Sequence, residues 1–501
     1  MDEEAPIEVT ELSKEPKANP IKKGWAKIPT VGKAALVILV ILILIGAATL
    51  TAPGKSFFQP KYHLISFDAD RAYKDQQWFQ NLGPRMTGTD AELKGAQYIA
   101  SQLTSAGVKN VHIEEFEIYL FTINKADVST VPYGPGGNLP KPTGTVKTYE
   151  NRIEYVVQGF SGSHPWANFK DDLPVVDLGN GTSNSTWKSA AGKCGILTSD
   201  SHTKNNTVLY RIARDNNLAC FAINNHEYGP TDGYLAIFKG VYLDKGEQYA
   251  PSMPFFMMNR AMGDAVVADA KNGSKLRLNF DVPHGNVKVR VTLGEVEGRE
   301  KSDKFVMMGA HDDTVNNGPG QVDNTSGTVT VLETARTMAQ ERPKRTIKFA
   351  FFGGEEEGLL GSNAYVAAHS QDIKDNMIFY ENADMTNIDL TRGYGGWIGS
   401  NDDSAVSHYK EIASIYKSKD SRFEKYTMDI SVGGMNSGSD QASFLPLDKK
   451  VSFGAGSGCD EYHTHLDNIN HINTESEAYF GDIFGTYAYY LAENNGASPL
   501  F

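Results

Sequence analysis

Hydrophobic and polar positions follow three different rhythms along this chain. The first is one uninterrupted run, Ala34 to Ala52 (AALVILVILILIGAATLTA), in which 19 residues pass without a charge. At about 1.5 Å per residue, a helix of that length crosses a hydrocarbon layer of about 30 Å. The second rhythm consists of short apolar runs closed off by charged or turn residues. Phe305 to Ala310 (FVMMGA) and Thr346 to Phe352 (TIKFAFF) accumulate apolar residues more than they alternate them, which predicts strands buried in a mostly parallel sheet. The third is helical, as in GTVTVLETARTMAQ, which follows a Gly/Asn-rich loop. Strands and helices in this succession predict an α/β fold, doubly wound, with helices on both faces of the sheet.

The middle of the chain, from about Phe121 to Val282, has a pattern of its own. AGKCGILTSDS, RIARDNNLACFAINN and PSMPFFMMNRAMGDAVVADAKNGSKLRLNF read as a strand, a helix of one or two turns, a second strand, a loop, and a helix followed by a strand. Val208, Ile212 and Ala219 to Ile223 are explained as core.

Charge gives the apolar run at the N-terminus a direction. Lys22, Lys23, Lys27 and Lys33 precede it with no acid between Pro20 and the span. The positive-inside rule puts residues 1–33, a Pro/Lys/Glu-rich disordered tail, in the cytoplasm, with 34–52 as a single-pass signal anchor in the cell membrane and the rest of the chain extracellular. A cleaved signal peptide is the alternative, offered by Gly46, Ala47 and Ala48. Asp plus Glu exceed Lys plus Arg by 61 − 48 = 13, which argues against nucleic acid as a partner. Three cysteines make no disulfide scaffold. Cys194 and Cys220 fall on two strands that could neighbour each other, and Cys459 reads as packing. Asn180, Asn184, Asn205 and Asn272 begin sequons that suit an outward-facing domain.

The candidate chemistry sits at the ends of the apolar runs. His311 and Asp313 lie just past the Phe305 strand, at the carboxyl edge where open α/β sheets bind ligands. A neutral imidazole suits zinc, and a carboxylate two residues on can take its other N–H and fix the tautomer, the role assigned to Asp313. Asp323, 12 residues beyond His311 in VDNTSG, is the candidate bridge between two metals. The second strand ends in Glu355, Glu356 and Glu357, adjacent carboxylates that are costly unless cations or water satisfy them. Neighbours on an extended strand end point opposite ways, so Glu356 is assigned as a ligand, Glu355 as general base and Glu357 to solvent. Asp384, after MIFYENA, and His463, in CDEYHTHLDN, complete five ligands for two zinc ions. His465 and His471 read as loop or rim residues, and the sequon at Asn324, inside the metal loop, as unmodified.

GAHxD, the Asp in its DN-x-SG turn, GEEEGLLGS, NADM and YHTHLD, with LGPRMTGTDAELKGAQYIASQL from Leu82 to Leu103, resemble the di-zinc aminopeptidase and glutamate carboxypeptidase-like family of metallopeptidases. The resemblance implies a zinc exopeptidase-like catalytic domain over 62–119 and 283–501, and peptide substrates. It also implies that Tyr462 donates to the developing oxyanion and that Gly438-Ser439-Asp440 is a loop near the site. The segment 120–282 is similar to a protease-associated domain. Asp312 and Gln441 depart from the family pattern and bear on the pocket wall. The family holds aminopeptidases and carboxypeptidases, so the choice falls to the pocket. Asp460, Glu461 and Glu357 could receive a free α-amine, and Arg392 a C-terminal carboxylate. Carboxylates outnumber arginines there, which favours an aminopeptidase. A non-catalytic receptor on the same fold is the alternative from another class, and all five ligands and the base argue against it.

Overall fold

The computed structural model describes residues 61–134, 141–200, 204–227, 234–392, 395–436 and 438–494. The tail at 1–33 and the anchor at 34–52 lie outside them. Among the described residues no helix is long and apolar enough to cross a membrane. The expected localisation, a single-pass protein of the cell membrane with the membrane as partner, is corrected on that finding. The apolar runs of the described body are short and are turned inward to form three buried cores.

Two helices open the fold, Ala69–Leu82 and Asp90–Ala106. Each begins on a side-chain cap, with Asp68 accepting from Arg71 N and Thr89 from Glu92 N, so an otherwise orphaned amide is satisfied. Strand β1 (Lys109–Phe121) then leads into a second sheet. Its members are β2 (Lys125–Val131), β3 (Lys147–Thr148), β4 (Tyr155–Val157), β5 (Leu173–Asp177), β6 (Cys194–Thr198), β7 (Cys220–Asn224), β8 (Phe255–Met258) and β9 (Lys275–Asp281), in the spatial order β3-β2-β9-β5-β6-β7-β8-β4. The chain returns through β10 (His284–Val296), antiparallel to β1 from Glu295 opposite Lys109 to His284 opposite Phe121. The intervening segment thus leaves and re-enters the main sheet at one place.

This second sheet refines the sequence reading. The helix before β7 spans Asn206–Asp215, ten residues, because Asn205 caps it at Val208 N, five residues upstream of the pattern at Arg211. Phe255–Met258, read as part of a loop, is a strand, its apolar residues all buried. Cys194 and Cys220 lie opposite each other in the parallel β6–β7 pair and are disulfide-bonded.

The main sheet adds β11 (Phe305–His311), β12 (Thr346–Phe352), β13 (Met377–Ala383), β14 (Gly396–Ser400), β15 (Met428–Val432) and β16 (Val451–Ala455), ordered β1-β10-β12-β11-β13-β16-β14-β15. Strands β12, β11, β13 and β16 run parallel. Four of the seven pairings in the sheet are parallel, with β14–β15 the fourth, and the pairs β1–β10, β10–β12 and β14–β16 are antiparallel. Period-two alternation explains the near-continuous apolar runs. Val306, Met308 and Ala310 of β11 enter the core beneath helices Ser326–Met338 and Thr474–Asn494. Phe305 and Met307 enter the opposite core, beneath helix Leu360–Ala368. Both faces are covered, and the strand ends are left to carry side chains into one crevice.

Candidate functional site

Three parallel strands end side by side, and each delivers one piece of the site. His311 is the last residue of β11 and is 1% exposed. Its carbonyl accepts from Thr328 Oγ1 at 2.6 Å, which ties the strand end to the following helix. Asp313, two residues on, is fully buried. Its Oδ1 lies 3.4 Å from His311 Nδ1 and accepts from Glu355 N at 3.2 Å. Its Oδ2 accepts from Thr87 Oγ1 at 3.1 Å and Glu356 N at 3.3 Å. One carboxylate therefore faces the histidine and fixes the backbone of the glutamate run.

That run is not the extended strand end expected from the sequence. Gly354 (φ +81°) and Gly358 (φ +116°) occupy conformations that L-residues avoid, and Gly358 N and Leu359 N both donate to the Glu355 carbonyl. The chain turns, and the three carboxylates fan out. Glu355 and Glu356 line a cavity, whereas Glu357 is buried at 8% exposure rather than solvated, its carboxylate oxygens without a hydrogen-bond partner.

Asp323 sits in the turn Gln321–Thr325 with a non-helical backbone (φ −115°, ψ 97°), clamped from two directions. Asp467 accepts from Val322 N (2.8 Å) and Asp323 N (3.0 Å). Arg85, wholly buried, donates to the carbonyls of Asp312 (2.9 Å) and Pro319 (3.0 Å) and to Thr325 Oγ1 (2.9 Å). Asn324 uses its side chain on Gly327 N, Met385 N and the Ala383 carbonyl and is fully buried.

Around Asp323 the structure gathers all five residues named as ligands. His311, Asp323 and Asp384 form one set of donors and Asp323, Glu356 and His463 another, the donor atoms of each set lying within 4.8 Å of one another. His311 Nε2 is 3.3 Å from Asp323 Oδ1 and 3.5 Å from Asp384 Oδ1. His463 Nε2 is 3.1 Å from Asp323 Oδ2 and 3.0 Å from Glu356 Oε2. His463 Nδ1 donates to the Phe238 carbonyl at 2.8 Å, so Nε2 is the nitrogen turned to the carboxylates.

Zinc fits these residues on two independent grounds. His311 Nε2, Glu356 Oε1 and Asp384 Oδ1 are buried without a hydrogen-bond partner, a cost that native structures do not leave uncompensated. The donor chemistry, imidazole and carboxylate in two sets sharing one oxygen ligand, is that of a zinc pair. The electrostatics agree. Burial by itself would lower the His463 imidazole, but Glu356 and Asp323 overcome it and push it up to about 10. The carboxylates call for positive charge, and a proton or a cation can supply it.

The cavity over these sets, about 640 Å³, is lined by Glu355, Glu356, Tyr462, His463, Lys239 and Tyr242, with Asn205, Asn206 and Asn436 among its amides. The Tyr462 ring stacks on His463 at 3.7 Å between centroids, 19° from parallel. The expected rim is different in the structure. Asp460 is exposed and Glu461 is drawn 3.6 Å from His471 Nδ1; neither lines the cavity. Arg392 ends a 3₁₀ turn, Leu390–Arg392, and its side chain lies outside the described set. Asp312 (2% exposed) and Gln441 (fully buried) are packed beneath the site instead of forming its wall. Four residues went unassigned from sequence: Asp467, Arg85, Phe238 and Asp440. Asp440 is fully buried, and burial pushes its carboxyl up to about 7 against the pull of His311. The YHTHLD, LGPRMTGT and GSD motifs contained three of them, whereas nothing marked Phe238.

An α/β sheet that gathers two such donor sets around a shared carboxylate, beside a further carboxylate facing an open cavity, is the site of a two-metal hydrolase. Residues 292–488 match the model of Peptidase family M28, so this part of the chain carries a Peptidase M28 domain, and the protein is a zinc-dependent metallopeptidase. It is 25% identical over 498 residues to aminopeptidase YwaD of Bacillus subtilis (strain 168), covering 93% of this chain and 95% of that one. A glutamate carboxypeptidase 2 homolog of Caenorhabditis briggsae is 23% identical, over 60% of this chain and 49% of its own. The fold is similar to that of BSAP, a zinc aminopeptidase from Bacillus subtilis, with a TM-score of 0.67 at 21% identity over 87% of this chain and 98% of that one.

Proposed function

We propose that the chain is an exopeptidase that removes residues from the N-terminus of peptides. In this reading His311, Asp323 and Asp384 would hold one zinc ion and Asp323, Glu356 and His463 the other, Asp323 being common to the two sets. The observation that carries it is Glu355 in the cavity lining beside both donor sets. When bound, the zinc pair supplies Lewis acidity that lowers the pKa of water and offsets negative charge at the scissile carbonyl. Glu355 takes the proton of the attacking water on a carboxylate oxygen and passes it to the leaving amine, which regenerates the carboxylate. Tyr462 donates its O–H to the oxygen that gains charge. Burial, with Asp323, Glu356, Glu355 and Asp384 around it, holds that phenol well above its ordinary value, so it keeps the proton it donates. Asp313 faces His311 Nδ1 and leaves Nε2 to the metal side.

The N-terminal direction is supported by relatives named aminopeptidases and by the lining itself. A free α-amine meets Glu355 and Glu356, and no arginine is found among the described residues that line the cavity. The catalytic domain in this reading comprises 62–119 and 283–501. Residues 120–282, with their own sheet and core, form a protease-associated insert whose Lys239 and Tyr242 wall the cavity.

Mass spectrometry of the products from Leu-Ala-Ala, with the full chain and saturating zinc, tests the reading. Release of leucine is the expected result. Leu-Ala as the first product would make the chain a carboxypeptidase, and no cleavage with two zinc ions bound would return it to a receptor role.

A further inference from the structure

His463 belongs to the catalytic part of the chain, yet its ring is oriented from the insert. Its Nδ1 donates to the Phe238 carbonyl at 2.8 Å, across 225 positions. A carbonyl only accepts, so that nitrogen carries a proton and Nε2 is the one that faces Asp323 and Glu356. Phe238 grips the main chain as well: its N donates to the His463 carbonyl at 3.3 Å, which also accepts from Asn317 Nδ2 at 3.2 Å. These bonds hold His463 at φ +60°, a conformation that an L-residue keeps only when its surroundings impose it. His311 is held differently. It closes β11 in register with Phe352 of β12, and the carboxylate facing its Nδ1 is Asp313, two residues away. One histidine is set by its own strand end and the other by a distant segment.

The Phe238 carbonyl is itself held by the insert. Residues 236–239 belong to no strand, and the side chains of Ala236, Ile237 and Phe238 are buried in the core that the insert builds. Gln158, wholly buried just past β4, closes this segment on both sides of Phe238. Its Nε2 donates to the Ile237 carbonyl at 2.9 Å, and its Oε1 accepts from Lys239 N at 2.8 Å. The same amide is fixed in turn, with Nε2 donating to the Val156 carbonyl at 3.2 Å and Oε1 accepting from Asn206 Nδ2 at 2.9 Å. Both of its hydrogens and both lone pairs of its oxygen are engaged. Without this side chain the Ile237 carbonyl and the Lys239 amide lose that partner, one on either side of the carbonyl that His463 uses.

We propose that the insert sets how tightly zinc is held at His463: the Phe238 carbonyl orients the imidazole, and Gln158 is the positioning residue that keeps that carbonyl in place. The two donor sets then differ in kind. The set with His311 is oriented from within the catalytic part, and the set with His463 depends on the insert as well. Loosening the insert weakens one zinc ion and spares the other. The proposal rests on the reading above in which His463 is a ligand.

Titration of the full chain with zinc against a competing chelator resolves the affinities of the two ions. Gln158→Met keeps the length of the side chain and removes its hydrogen bonds. It is expected to weaken one zinc ion about tenfold or more and to leave the other unchanged. Placed in a His463→Ala background, where the set containing His463 is already lost, the same substitution is expected to have no further effect on the remaining ion. A general loss of stability would not give that pattern. The coupling is reciprocal, so zinc should slow hydrogen exchange at Phe238 N and Lys239 N in the wild type, a measurement that needs no variant to fold. Wild-type affinities in Gln158→Met, an equal loss at both sites, or exchange at those two amides that zinc leaves unchanged would overturn the proposal. Two zinc ions held at wild-type affinity by His463→Ala would overturn the ligand assignment instead.

Discussion

Asp467 holds Asp323 by its backbone: Oδ2 of the first accepts from the amide of the second at 3.0 Å, while Oδ1 accepts from Val322 N at 2.8 Å. The residue shared by both donor sets is thus aimed by a carboxylate 144 positions away that belongs to neither set. Asp467→Asn keeps the shape but has one acceptor oxygen where the carboxylate has two, so one of the two amides loses its partner. Zinc affinity should fall about 10- to 100-fold, as read by competition with a chelator, with the fold retained by circular dichroism. An unchanged affinity would remove Asp467 from the account.

Glu355 is argued to move a proton and not to hold metal, so its variant should separate the two functions. Glu355→Gln preserves size and loses basicity. Its zinc content by atomic absorption should equal that of the wild type, while kcat falls about 10²- to 10⁴-fold with little change in KM. Loss of a zinc ion together with activity would mean that Glu355 is a ligand.

These two residues also mark what sequence could and could not disclose. Strand β12 was legible to the residue, and β11 to within one, because their apolar runs have sharp charged borders. The five ligand candidates were legible because each sits in a short motif at a strand end or in the loop that follows one. Asp467 and Arg85 act on backbone groups in segments remote from their own, and periodicity carries no trace of that. The glutamate run was legible as chemistry but not as geometry: positive φ at Gly354 and Gly358 makes a turn where an extended end was expected, which buries Glu357. The acidic rim failed for a related reason, since Glu461 finds His471. Phe238 contributes only a carbonyl, the one group that every residue carries.

Stability should depend on pH through Glu477, which is fully buried in helix Thr474–Asn494 with Gln76 donating to its carboxylate. Burial pushes its carboxyl up to about 8 against that donation. A raised carboxyl keeps its proton in the folded state while the unfolded chain ionises, so the folded state binds more protons between about pH 4.5 and 8, and stability falls as pH rises through that window. Glu477→Gln cannot ionise. Its advantage over the wild type should grow between pH 5 and pH 8, to on the order of 1–3 kcal/mol, measured by urea unfolding with zinc saturating so that metal loss cancels in the comparison. Parallel pH curves for the two proteins would show that Glu477 does not titrate in this range.

Tyr462 offers the cleanest dissection of the site, because its ring and its hydroxyl have different work. The ring stacks on His463 at 3.7 Å and lies beneath the Lys239 ammonium at 5.1 Å, contacts that Phe reproduces in shape. The hydroxyl alone is proposed to meet the oxyanion, a group that exists only as the carbonyl is attacked. A donor used only there lowers the barrier without tightening ground-state binding. Tyr462→Phe should therefore lower kcat about 10²- to 10³-fold and leave both KM and zinc content near those of the wild type. A rise in KM with kcat preserved would instead put the hydroxyl on the bound substrate, and zinc loss would mean that the stack on His463 had not survived.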